Sequence, residues 1–160
     1  MRKIIAICAA ASAAVLFTFA VAIAIVAVAS KKLDLESHQY ADASILAVVA
    51  RWDTGALMTR ASAQLGASPE SANEIRNVFS GFRILGQLTK YDGSYGSAQF
   101  IVKPNGDAVA MAEYVARAEF QNGPAGIRVT LIRIGDGWKI LRFAVSPIIS
   151  IDRLNPKHAA

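Results

Sequence analysis

The twenty-six residues Ile4–Ala29 contain no charged side chain, and this stretch constrains the chain more than any other feature. As an α-helix it would extend roughly 39 Å, against a bilayer hydrocarbon core of about 30 Å. Basic residues flank it on both sides: Arg2, Lys3, Lys31 and Lys32. Because a helix satisfies its own backbone hydrogen bonds, the stretch predicts a single transmembrane helix, with residues 1–32 as a membrane anchor.

A cleaved signal peptide is the alternative to a retained anchor. Ala27-Val28-Ala29 fits the small-x-small rule for cleavage before Ser30, but the apolar region of a signal peptide usually runs about 7–15 residues. We therefore expect a retained, uncleaved segment. The flanking lysines and arginines number two on each side, and the N-terminal amine adds charge to the first side. This favours a single pass through the inner (cytoplasmic) membrane with the domain on the periplasmic or another extracytoplasmic side.

The formal net charge of +5 comes mostly from the flanks of the apolar stretch. Four of the seventeen lysines and arginines lie there, which leaves thirteen against twelve acids, or +1. That balance predicts no basic patch for nucleic acid. The single cysteine, Cys8, lies in the apolar stretch, so the rest of the chain has no disulfide and no thiolate metal site. We expect one domain over residues 33–147 and a C-terminal tail over 148–160.

Helical spacing of apolar residues follows the anchor. Ser37 is the predicted cap of a first helix that runs to about Arg51. Its apolar face has members at i, i+3, i+4 and i+7: Ile45, Val48, Val49 and Trp52. Asp53 is the predicted cap of a second helix, Ala56–Ala63, and Ser68 that of a third. The third helix also has an apolar face: Ile75, Val78, Phe79 and Phe82.

The apolar period then changes from helical to alternating, which is typical of strands. The predicted strands are Leu85–Tyr91, Ser97–Lys103, Asp107–Phe120, Gly126–Ile134 and Trp138–Ser146. Glycine-rich turn sequences separate them, which predicts hairpins. Helices first and hairpins afterwards define an α+β domain, with two or three helices packed on a curved antiparallel meander of four to five strands.

The hairpins also predict which residues share a face. Pairing Phe120 with Ile127, and Ile134 with Trp138, puts alanines of the long strand and apolar residues of the last two strands against the helices. The same register gathers five apolar residues on the opposite face: Val115, Ile132, Ile134, Trp138 and Ile140. Because a solvent-facing sheet rarely leaves so much apolar surface uncovered, we interpret these five as a partner-binding surface. A ligand, or the tail residues Ile148–Ile151, remain alternative covers.

This arrangement resembles the cystatin-like/nuclear transport factor 2-like superfamily. The resemblance covers about residues 36–147 and depends on the helix ending in Trp52-Asp53-Thr54-Gly55, the shorter helices, the meander and the closing hairpin Leu131–Ile140. It implies a cone-shaped space between sheet and helices, in which the superfamily's isomerases, hydrolases and cyclases hold small molecules. An anchor followed by such a domain also looks like the inner-membrane scaffold components of bacterial type IV secretion.

The residues carry no visible catalytic constellation. The two histidines, His38 and His158, have no clustered co-ligands for a metal. Acid–base candidates for a cone pocket would be Tyr40, Tyr91, Tyr114, Asp53 and Glu113. Their simpler interpretations are core tyrosines with hydroxyls at the rim, a helix cap and a solvated strand face.

We therefore expect a membrane-anchored, non-catalytic interaction or assembly module, an accessory subunit of a bacterial-type envelope complex with a protein partner or a second copy on its sheet face. No cofactor, metal or nucleic acid is expected. The alternative is a small-molecule-binding protein or enzyme that uses the cone pocket.

Overall fold

Over its described residues the chain folds as three α-helices followed by a curved four-stranded antiparallel sheet, so the α+β class is confirmed. The computed structural model describes residues 30–66, 69–102, 104 and 106–148. The predicted anchor Ile4–Ala29, the tail beyond Ile148 and the predicted cap Ser68 lie outside the described residues. No helix in the described part of the chain is both long enough and apolar enough to cross a membrane.

Within the described residues helix α1 covers 30–49, so it includes positions before the predicted cap Ser37. Ser37 lies inside the helix, fully buried, and its hydroxyl donates to the Asp34 carbonyl at 3.0 Å. The reason is that Leu33, one turn earlier, is also buried and extends the apolar stripe towards the N-terminus. A serine that returns its hydroxyl to the preceding turn is compatible with a helix interior.

Trp52 ends α1 in a left-handed conformation, with φ of 50°. The Asp53 amide donates back to the Val48 carbonyl at 2.9 Å, which closes the helix in the way that glycine usually does. This conformation costs a bulky residue about 1–2 kcal/mol. The buried indole offsets that cost, because its ring lies 5.2 Å from Phe120 and 5.4 Å from Phe82 between ring centres.

The remaining helices are short and link α1 to the sheet. Helix α2 is Thr54–Arg60, and the predicted cap Asp53 is confirmed, since its carboxylate accepts from the Ala56 amide at 3.1 Å. Helix α3 is Pro69–Phe82 and continues into a 3₁₀ turn, Arg83–Leu85. Of the predicted apolar face of α3, Phe79 is buried, Ile75 and Phe82 are partly buried, and Val78 is exposed.

The sheet has four strands in the order β1-β2-β3-β4. Their bounds are Leu88–Val102, Ala108–Phe120, Gly123–Ile134 and Gly137–Pro147. The first two predicted strands are one strand, β1, whose register with β2 shifts between Tyr91 and Ser94. The glycine-rich sequence there forms an irregularity within the strand, with Gly93 at φ 95°, where a turn was predicted.

The register between β2 and β3 is four residues away from the predicted one. Phe120 pairs with Gly123, and Ala116 pairs with Ile127. The difference arises because the turn is only two residues long, so that Pro124 already lies in β3. Because side chains alternate, a slip of four residues keeps every residue on its predicted face. The alanines of β2 therefore face the helices as predicted, buried against Ile127, Val129 and Leu131.

Between β3 and β4 the predicted register holds only for part of the hairpin. Val129 pairs with Phe143 as predicted, but the register shifts by one between Thr130 and Leu131, so that Leu131 pairs with Ile140. The extra residue is Leu141 of β4, so the β4 side chains between it and the turn lie on the face opposite to the predicted one, whereas those of β3 keep their face. Ile140 and Trp138 therefore lie on the helix face, and their predicted place on the outer face is wrong.

Candidate functional site

The structure separates the five residues that the sequence predicted as one partner-binding surface. Ile140 and Trp138 belong to the buried core beneath the helices. Val115 and Ile134 are exposed on the outer face, at 42% and 51%, and Ile132 between them is buried. Because Val115 pairs with Arg128, it lies six residues of β3 away from Ile134, about 20 Å along the strand. Val115 and Ile134 do not form one contiguous patch.

The most concentrated chemistry in the described chain lies between α1 and β1. Asp34, His38 and Asp42 recur every fourth residue, which places them on one helix face. Asp34 accepts from the Ala98 amide at 2.7 Å, and Asp42 accepts from the Ser94 amide at 3.0 Å. Eight residues of helix rise about 12 Å, and four residues of strand about 13 Å. The two carboxylates thus match two free amides on the edge of β1. We call Asp34, His38 and Asp42, together with the β1 residues that they contact, the α1–β1 seam.

Asp42 is the centre of the seam because one of its oxygens accepts three hydrogen bonds. The donors are the Tyr91 hydroxyl at 2.6 Å, the Ser94 hydroxyl at 2.7 Å and the Ser94 amide at 3.0 Å. Burial raises the pKa of the Tyr91 hydroxyl, and its bond to the carboxylate raises that pKa further. Tyr91 is therefore held as a neutral donor.

His38 lies one helical turn before Asp42 and is the third α1 residue of the seam. Its Nε2 lies 2.8 Å from the Ser94 carbonyl and 3.5 Å from the second oxygen of Asp42. A carbonyl oxygen only accepts, so this bond requires a proton on Nε2. The imidazole also stacks on Tyr114, with ring centres 5.3 Å apart and planes 17° from parallel.

The seam contains serine, histidine and aspartate, but the bonds among them are not those of an activated nucleophile. Such a nucleophile needs its hydroxyl hydrogen-bonded to the imidazole, with the carboxylate on the other imidazole nitrogen. Here the Ser94 hydroxyl donates to Asp42, and the His38 Nε2 is occupied by a backbone carbonyl. This arrangement can satisfy the unpaired edge of a strand and hold a helix along it.

Tyr114 fills the space between helix and sheet. The residue is almost completely buried, and its hydroxyl shares a 2.8 Å hydrogen bond with Ser37. Burial is the main cause that raises the pKa of this hydroxyl. The sequence placed the hydroxyl at the rim of a cone, whereas it lies inside the fold against α1. Aliphatic side chains of α1 and the sheet occupy the adjoining interior: Ile45, Val48, Val49, Ile127, Val129 and Leu131.

Two of the ligand-sized grooves on the described surface border apolar side chains of the sheet. One, of about 320 Å³, runs between α3 and β4 and is lined mainly by apolar side chains, including Ile75, Phe79 and Phe143, with Glu74 as its carboxylate. The other, of about 360 Å³, lies on the outer sheet face beside Val115. Its remaining lining includes small and polar residues: Gly126, Arg128, Ala144 and Ser146.

The other candidates from the sequence have structural partners. Glu113 is exposed and lies 3.4 Å from Arg128 on the neighbouring strand. The Tyr40 hydroxyl donates to the Arg60 carbonyl at 3.4 Å. Within the described residues no three histidine, cysteine or carboxylate side chains are grouped to hold a metal ion.

Sequence reasoning missed the seam although part of its signal was visible. The four-residue spacing of Asp34, His38 and Asp42 could be read directly from the sequence. The partner Ser94 could not, because the sequence around it was interpreted as a turn between two strands, whereas it lies in β1.

Comparison with protein-family models, curated proteins and solved structures finds no match to this chain.

Proposed function

We propose that this protein is a membrane-anchored, non-catalytic interaction module, which serves as an accessory subunit of a bacterial-type envelope complex. Ile4–Ala29 is its anchor, and the cystatin-like domain is displayed on the extracytoplasmic side of the inner membrane. The twenty-six uncharged residues with basic flanks support the anchor. The order of helices and antiparallel strands supports the cystatin-like assignment.

The filled interior of the domain is the observation that supports a non-catalytic role. Tyr114 and aliphatic side chains occupy the space in which a cone pocket would hold a substrate. The polar groups nearest that space are committed to the edge of β1, since Asp42 accepts three hydrogen bonds and His38 contacts a backbone carbonyl. A binding role leaves these internal bonds undisturbed.

The outer sheet face around Val115 is the surface we assign to a protein partner. Val115 lies beside Arg128, which with Glu113 forms an exposed pair of opposite charge. An apolar centre with a charged surround is typical of protein–protein interfaces. Ile134, also exposed, lies at the far end of the same face and would contact a partner only if the interface extended along β3.

Photo-cross-linking in native membranes tests this function. A photoreactive amino acid replaces Val115, and the matched control replaces Ile84, which is 77% exposed on the 3₁₀ turn. We expect discrete adducts from position 115 that are absent from position 84, in a chain that resists extraction from membranes by alkaline carbonate. A chain extracted by carbonate would contradict the anchor. The same adducts at both positions, or none, would contradict the assigned surface.

One observation favours the alternative of a small-molecule-binding protein. The groove between α3 and β4, at about 320 Å³, reaches the lower range of small-ligand pockets. Its apolar lining suits an apolar ligand such as an acyl chain. Titration of the chain with a fluorescent fatty acid, in wild type and in Phe143→Asp, would test it: saturable binding that the substitution abolishes supports the alternative.

A further inference from the structure

One end of the domain exposes apolar residues on both faces of the sheet. Phe100 and Val102 lie on the helix side of β1 and are 63% and 69% exposed. Ile101 lies between them on the outer side and is also exposed. Because neighbouring strands are antiparallel, Ile134 at the end of β3 lies at the same end of the sheet. We call these four residues the apolar rim.

The apolar rim lies beside the first described turn of α1. Asp42 contacts Ser94, whereas Asp34, two turns earlier, contacts Ala98 further along β1. The helix and the strand therefore run in opposite directions, and the first described turn of α1 is next to the end of β1. Lys32 of that described turn borders a shallow groove that Phe100 also lines.

The rim extends past the first described residue of α1. From Ala98 to Val102 the strand advances about 13 Å, whereas from Asp34 back to Ser30 the helix rises only about 6 Å. Since Asp34 and Ala98 are in contact, Val102 projects about 7 Å beyond the level of Ser30. Ser30 directly follows the twenty-six uncharged residues, so it marks the boundary of the expected anchor.

A projection of this size matches the depth of a bilayer interface. Amphipathic elements bury their apolar side about 5–10 Å into the headgroup and acyl boundary. Lys31 and Lys32 lie in the first described turn of α1, and both are exposed. Lysines beside a membrane segment attract anionic lipid headgroups. A flat protein partner would cover one sheet face, whereas the rim exposes apolar residues on both faces at the strand ends.

We propose that the apolar rim inserts into the interface of the same bilayer that holds Ile4–Ala29, so that the domain lies on the membrane surface. This inference rests on the anchoring in the proposed function. It concerns lipid contact alone and assigns nothing to the outer face around Val115.

Depth-dependent fluorescence quenching tests the proposal with the full chain in vesicles of phosphatidylethanolamine and phosphatidylglycerol. The single cysteine is replaced, Cys8→Ser, and an environment-sensitive dye is attached at Val102→Cys, Ile134→Cys or the control Ile84→Cys. Lipids with a nitroxide near the headgroup should quench the dyes at 102 and 134 severalfold more than the dye at 84. Adding Phe100→Asp to the Ile134→Cys protein should reduce its quenching severalfold, with an unchanged circular dichroism spectrum.

Three other results would each contradict one or both proposals. A chain that does not float with the vesicles refutes the anchor, and with it both proposals. A chain that floats, with all three dyes quenched equally weakly, overturns the rim proposal and leaves the proposed function standing. If the dye at 102 becomes more shielded as the protein-to-lipid ratio rises, and nitroxide lipids do not quench it, a second copy of the chain covers the rim. That result also overturns lipid insertion.

Discussion

Replacing Asp42 with alanine is the most direct test of the α1–β1 seam. The substitution removes the acceptor of three hydrogen bonds, two of them from Ser94, which is only 4% exposed. Hydrogen bonds to charged groups contribute about 1.5–3 kcal/mol each. Low values apply here, because the Asp42 side chain is 30% exposed and water can replace the bond to the half-buried Tyr91. We expect Asp42→Ala to lower the free energy of unfolding by about 2–4 kcal/mol, and Asp42→Asn by about 1–2 kcal/mol.

Urea unfolding of the full chain in detergent micelles, followed by far-ultraviolet circular dichroism, measures this loss as a shift of the midpoint. Asp92→Ala is the matched control, since Asp92 is an exposed carboxylate of the same strand that pairs with Lys90 at 2.8 Å. Exposed pairs contribute little, so we expect no measurable change there. If Asp42→Ala were as stable as Asp92→Ala, the inference that the seam holds α1 on the sheet would be refuted.

Three further predictions concern the sheet. Ile140→Ala should lower the free energy of unfolding by about 2–4 kcal/mol, and Val115→Ala by less than about 1 kcal/mol; equal losses in urea unfolding would argue against the β3–β4 bulge. Gly96→Ala should lower the melting temperature more than Gly137→Ala, because an added Cβ at 96 lies 2.8 Å from backbone carbon atoms of β2, whereas at 137 it meets nothing within 4 Å. Burial raises the pKa of Tyr91 above its ordinary value of 10.0, so the unfolded chain releases that proton first and stability falls as pH rises above 10. Tyr91→Phe should flatten this alkaline decline in urea midpoint, and an unchanged slope would contradict the assignment.

Alternation made the faces of β2 predictable although its pairing was not. The sequence placed Ala116 and its neighbours against the helices, and they are buried there. The register was wrong by four residues, but an even slip leaves every side chain on its face. The apolar pattern therefore determines the face of a strand more strongly than it determines the partner of each residue.

A bulge of one residue has the opposite effect, and this explains the error at Trp138 and Ile140. Both were predicted on the outer face because the hairpin was continued in register from Val129 to its turn. The extra residue is Leu141 of β4, and neither of its neighbours, Ile140 and Arg142, is a glycine or proline that would indicate a bulge. Two observations favour the inner position of Ile140: its side chain is fully buried, and its carbonyl accepts from the Ser62 amide, in the connection after α2, at 2.8 Å.

Contacts with two strands fix the position of α1 on the sheet. Asp34 fixes the helix to β1, and Glu36 in the same turn meets Arg133 of β3 at 2.9 Å. Because these contacts lie on two different strands, the helix can neither slide along the edge of the sheet nor rotate about its own axis without breaking one of them. In the proposed arrangement α1 follows directly from the anchor, so its tilt in the bilayer determines the direction of the outer face around Val115. In that proposed arrangement the serine, histidine and aspartate contacts of the seam would orient the proposed interaction surface relative to the membrane.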